Sequence, residues 1–90
     1  PYGVAVDTEN NLVYIADKSN NVVRVVNRLT NIITTAIIGL NSPERVELDS
    51  ASNLIYVLSS FYNQIRVFNR TSGTLSTFAG TGVYSFSGDG

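Results

Sequence analysis

The 90-residue chain contains no cysteine and no histidine. Those two absences exclude disulfides, thiol chemistry, the usual zinc ligands and the commonest general base. Charge is also scarce. Six basic and seven acidic side chains leave a net charge of −1, which gives no electrostatic grip on nucleic acid or on anionic lipid. No apolar run approaches the roughly 20 residues that a membrane helix requires. The first residue, Pro1, is not an initiator methionine and no leader-like segment precedes the patterned sequence. A fragment or a processed product is therefore expected, and a missing signal peptide carries no information about secretion. With charged residues at only 14%, the surface is solvated by neutral Asn, Ser and Thr. Such a surface suits an extracellular or cell-surface protein.

What is present is one pattern written twice. At an offset of 42 residues Pro1 falls on Pro43, Val4 on Val46, Asp7 on Asp49, Asn11-Leu12 on Asn53-Leu54 and Tyr14 on Tyr56. Farther along, Asn21 falls on Asn63, Arg24-Val25 on Arg66-Val67, Asn27-Arg28 on Asn69-Arg70 and Thr35 on Thr77. A period in the low forties filled with short β-rich runs is the signature of a propeller blade. The expected fold is all-β: two four-stranded antiparallel blades belonging to a larger or assembled propeller. Residues 1–42 form the first blade, and 43–90 the second plus a connector over about 80–90.

Four strands are expected per repeat. In the first they are Val4–Val6, Leu12–Ala16, Val22–Val26 and Ile32–Ile38; in the second, Val46–Leu48, Leu54–Leu58, Gln64–Phe68 and Thr74–Ala79. β-branched and aromatic residues dominate these runs, and Asn, Asp, Ser and Gly bound them. No window sustains a 3.6-residue apolar period, so no helix is expected. The second strand of each repeat is apolar on both faces, whereas a sheet with one wet face alternates apolar and polar. Each sheet should therefore lie between two others, with the first strand innermost. In a two-blade unit one face per blade then has no cover, exposing pairs such as Val13 and Ile15 or Ile55 and Val57. Further blades, from the same chain or from other copies, are the first partners expected.

Pro1-Tyr2-Gly3-Val4-Ala5-Val6-Asp7, Asn11 through Asp17 and Asn20 through Val26 resemble the NHL repeat of β-propellers. The tail Leu75 through Gly82, with Ser85-Phe86-Ser87-Gly88-Asp89-Gly90, is similar to the connector between blades in one branch of that family. The resemblance spans essentially the whole chain and implies the fold. For function it implies protein-binding or RNA-binding modules, extracellular sensors, or an amidating lyase that works through a metal held by histidines. This chain has no histidine, so no metal, cofactor or catalytic residue carries over. The second copy departs from the pattern: Arg45 replaces Gly3's counterpart, Ser59 replaces that of Asp17, and Phe61-Tyr62 stand where the first copy has Ser19-Asn20.

Candidate sites are few. Asp7 and Asp49, with Asn11 and Asn53, are read as structural turn residues. Their short side chains bond nearby N–H groups and tolerate left-handed backbone; a metal or acid–base role is the weaker reading. Arg24 and Arg66, mid-strand among apolar neighbours, should reach water or a carbonyl or carboxylate of an adjoining blade. The Gly-rich tail lacks the helix and lysine of a phosphate loop and the several carboxylates of a calcium loop. Asn69-Arg70-Thr71 is a possible N-glycosylation sequon. Phe61 and Tyr62 either cover the end of the blade interface or form a partner contact, where aromatics are enriched. The expected function is a non-catalytic scaffold or a module binding protein or glycan. Alternatives are a fragment of a propeller enzyme whose active site lies in other blades, and an RNA-binding propeller, which the net charge disfavours.

Overall fold

A computed structural model describes residues 3–59 and 63–79. Eight strands follow in chain order: β1 (Val4–Asp7), β2 (Leu12–Asp17), β3 (Val22–Asn27), β4 (Ile32–Ile37), β5 (Arg45–Asp49), β6 (Leu54–Ser59), β7 (Gln64–Asn69) and β8 (Thr74–Ala79). They form two four-stranded antiparallel sheets, ordered β1-β2-β3-β4 and β5-β6-β7-β8. Each sheet is a meander, and the two stack as neighbouring propeller blades. Most strands run one residue past the apolar segment. Asp7 and Asp49, for example, are the last paired residues of their strands, opposite Leu12 and Leu54. The loop after β2 closes into a single 3-10 turn, Lys18–Asn20, a local feature with no apolar periodicity to announce it.

The hairpins explain why Asn recurs at ten-residue intervals. Asn11, Asn21 and Asn31 in the first blade, and Asn53 and Asn63 in the second, have φ between 48° and 62°. Gly73, the counterpart of Asn31, has φ 75°. Each closes a turn in the left-handed region, where a short polar side chain or no side chain costs least. Both blades also carry the same bulge. The β3–β4 register shifts between Val23 and Arg24, and the β7–β8 register between Ile65 and Arg66, leaving Ala36 and Phe78 as the unpaired residues.

The sheets approach most closely through β1 against β5. Gly3 permits this, because a Cβ there would overlap the Glu44 carbonyl oxygen and come within 2.6 Å of the Ala16 Cβ. The core lies between the blades. Tyr14, Val23 and Ile37 from the first meet Val46, Ile55 and Val57 from the second, and Leu40 of the linking segment is tucked in beside them. Burying each such side chain contributes about 1.5–3 kcal/mol. The linking segment is pinned where the Asn21 side chain accepts a bond from the Ser42 N–H at 2.9 Å.

Of the residue pairs expected to lie uncovered, Ile55 and Val57 are buried, each 1% exposed, in the shared interface. Only Val13 and Ile15 belong to a free face. The two sheets stack in the same sense, so equivalent faces point the same way: what is outward in the first blade is inward in the second. Among the described residues, the uncovered face of the second blade is the opposite one, carrying Tyr56, Leu58 and Ile65.

Candidate functional site

The features with functional consequence are the faces of the blades and the polar groups that join them. At the rim of the shared interface Arg70, in the turn after β7, reaches across to the first blade. Its Nη1 donates to Asp7 Oδ2 at 2.7 Å and to the Tyr14 hydroxyl at 3.1 Å, while its Nε donates to Asn53 Oδ1 at 2.8 Å. The guanidinium also lies 5.8 Å from the Tyr14 ring centroid, within cation–π range. The Arg70 backbone N–H donates to the Asn53 carbonyl, fixing where the side chain begins.

Asp7 is almost fully buried and stays ionised. The side-chain amide of Asn10 and the guanidinium of Arg70 donate to it, and together they outweigh its desolvation and hold its pKa below the ordinary carboxylate value. For Arg70 burial works against the charge, but bonds to Asp7 and Tyr14 prevail and raise its pKa. The Asn10 backbone N–H also donates to Asp7 Oδ1, and the Ser52 N–H to Asp49 Oδ1, both at 3.3 Å. Asp7 is therefore both a turn residue and one half of a bridge between blades. Asn11 and Asn53 close their turns in the left-handed region, and Asn53 additionally steers Arg70.

Arg24 and Arg66 differ for a reason visible in the sequence. Arg24 bonds Asp17 at 3.1 Å and Thr35 at 2.8 Å, both within its own blade. Asn20 and then Arg24 lower the Asp17 pKa. The second copy has Ser59 in place of Asp17, so Arg66 turns to main-chain carbonyls, those of Ser76 and of Gly39 in the segment linking the blades. The Arg24 partner is thus not in an adjoining blade, while one of Arg66's partners lies outside its own sheet. The Asn69 side-chain oxygen accepts the N–H groups of Thr71 and Ser72. Phe61, Tyr62 and the tail Ser85 through Gly90 lie outside the described residues.

Among the described residues, two of the concavities beside this framework carry charged or aromatic side chains. A cleft of about 340 Å³ lies where β1 and β5 begin, beside the 3-10 turn. It holds the Asp17–Arg24 pair and a Lys18–Glu44 ion pair at 3.4 Å. The second, about 430 Å³, is an apolar groove on the free face of the second blade. Tyr56, Leu58, Ile65 and Phe78 line it, with Arg45 and Glu47 beside them, and Phe78 meets Tyr56 edge to face at 5.7 Å. Among the described residues no three of His, Cys, Asp and Glu gather closely enough to hold a metal ion.

Reading the sequence residue by residue missed Arg70 and Tyr14 as site residues. The signal was available: Arg28, Tyr14, Asp7 and Asn11 are each identical to their counterparts Arg70, Tyr56, Asp49 and Asn53. The bridge consists of those identities.

No family model matches the chain, and no curated protein matches it. Among solved structures, a chain in the crystal structure of a nidogen/laminin complex matches with a TM-score of 0.80 and 26% sequence identity. The match covers 91% of this chain and 32% of that one, so this chain spans about a third of its neighbour's length. The likeness agrees with the stacking of two β-propeller blades.

Proposed function

We propose that the chain is a non-catalytic, protein-binding part of an extracellular β-propeller of the NHL type. The observation that carries this reading is the two-blade architecture together with its likeness to a chain solved in a complex between two proteins. Supporting it, the charged cleft at the start of β1 and β5 is occupied by its own ion pairs. The apolar area lies instead on open sheet faces, which suit a macromolecular partner rather than a small substrate. The surface is poor in charge, in keeping with recognition through neutral hydrogen bonds, aromatics and apolar contact. Phe61 and Tyr62 are proposed partner contacts, glycans are a second ligand class for the same loops, and Asn69 is a proposed glycosylation site.

Surface plasmon resonance against immobilised laminin and other matrix glycoproteins, with a glycan array in parallel, tests the reading. Saturable binding that weakens when Phe61 and Tyr62 are both replaced by Ser is expected. Absence of saturable binding to every matrix protein and glycan would overturn it.

A further inference from the structure

The bridge between the blades is built from four residue types that each occur twice, yet it forms once. In the second blade Arg70 donates to Asp7 and Tyr14 of the first and is steered by Asn53 of its own turn. On the free face of the first blade Arg28 starts from the same place. Its backbone N–H donates to the Asn11 carbonyl at 2.8 Å, as that of Arg70 does to Asn53 at 3.0 Å. Among the described residues the Arg28 guanidinium shows no hydrogen bond or ion pair, and the residue is exposed. On the opposite free face Asp49 and Tyr56 occupy the positions of Asp7 and Tyr14; Arg45 lies in the same groove, but among the described residues no arginine is hydrogen-bonded to either. The described residues thus present a donor on one side and its acceptor on the other.

Side-chain size is complementary in the same way. The first blade's shared face carries small residues, Ala5, Ala16 and Ala36, and it receives the larger Leu48, Ile55 and Phe68 of the second. On the free faces the sizes are exchanged. The counterparts of the three alanines are Glu47, Leu58 and Phe78, which line the groove. The counterparts of Leu48, Ile55 and Phe68 are the smaller Val6, Val13 and Val26. Ile15, larger than its counterpart Val57, goes against the trend. Arg45 replaces Gly3, so the close backbone approach at the inner end is not repeated there. Val4 and Val6 are each 49% exposed and Ile33 62%, a degree of apolar exposure that marks an interaction surface.

We infer that the two free faces fit each other: the Val6, Val13 and Arg28 face of one copy docks on the Tyr56, Phe78 and Asp49 face of a second copy, head to tail. Arg28 then donates to Asp49 and to the Tyr56 hydroxyl of the neighbouring copy, as Arg70 does to Asp7 and Tyr14 within the chain. A head-to-tail contact either closes into a ring or continues as a filament. The matched part covers 32% of the similar solved chain, so three copies equal it in length, and a ring of three is the closed form tested. The inference concerns the faces alone, so its failure leaves the proposed binding of another protein standing, and the converse also holds.

Sedimentation of the 90-residue chain at tens of micromolar tests it, with far-UV circular dichroism as the check on folding. A species of about three times 9.8 kDa is expected. Arg28→Asp and Asp49→Arg should each weaken self-association at least about tenfold, the range measured for desolvated charge pairs across interfaces. The double variant, with the charges exchanged, should recover most of it. Asp49→Asn and Arg28→Gln keep the turn geometry and should weaken association less but in the same direction. A chain that remains a monomer at these concentrations overturns the inference, even if the faces capture another protein. So does association indifferent to both substitutions, or sensitive to only one, which would indicate like-to-like pairing of a single face.

Discussion

Arg70 is the residue on which the contact between the blades turns. Replacing it with Ala leaves Asp7 buried with Asn10 as its remaining side-chain donor, and removes the partner of the Tyr14 hydroxyl. A loss of about 1–3 kcal/mol is expected for such stranded polar groups, read from urea unfolding. The pH dependence follows from Asp7. Its folded pKa lies below its unfolded value, so its contribution is complete above the unfolded value near 4 and is lost as pH falls through the folded one. Unfolding midpoints measured between pH 7 and pH 2 should drop on the acid side, and Asp7→Asn should flatten that fall. Asp17 shifts in the same direction, but it is more exposed and screened, so Asp17→Asn should matter less. Gly3 is the other sensitive position. Gly3→Ala forces a methyl against the Glu44 main chain, and about 1–3 kcal/mol of overpacking is expected, measurable as a lower thermal midpoint.

At the scale of the strand and turn, most of the architecture was legible in the sequence. β-branched runs between Asn- and Asp-rich turns marked all eight strands, because strand propensity and turn chemistry agree here. Which face of each strand is buried was not legible. A strand apolar on both sides has no period to distinguish inward from outward, so Ile55 and Val57, expected on an uncovered face, lie in the shared interface instead. The stacking of the sheets decides it, and that is a long-range fact. Truncation should expose the difference: Ile55→Ala, at a site 1% exposed, should cost about 2–5 kcal/mol. Ile33→Ala, at a site 62% exposed, should cost well under 1 kcal/mol in the dissociated chain. The left-handed turn positions provide a finer test. Gly73→Ala should destabilise by about 1–2 kcal/mol, whereas Gly73→Asn should cost less, since Asn31 holds the equivalent turn of the first blade. Denaturant midpoints of the two variants decide between them.

At the scale of the molecule, a repeat stacked in one sense has two different ends, and no sequence pattern within a single copy reveals that. The bridge belongs to no single repeat, because Arg70 and Asp7 lie far apart in the chain and in different blades. The small residues of one blade and the large ones of the other carry a consequence for the gene. Duplication supplies identical units, but once Ala5, Ala16 and Ala36 have come to face Leu48, Ile55 and Phe68, the units are no longer interchangeable. A recombinant joining residues 1–42 to themselves would set alanines against valines and leave a void. One joining 43–79 to itself would drive Phe68 and Ile55 toward Phe78 and Leu58. Both recombinants should melt below the parent chain, the first through lost packing and the second through crowding. Unequal crossing-over within such a gene would therefore be tolerated in steps of two blades and purged in steps of one.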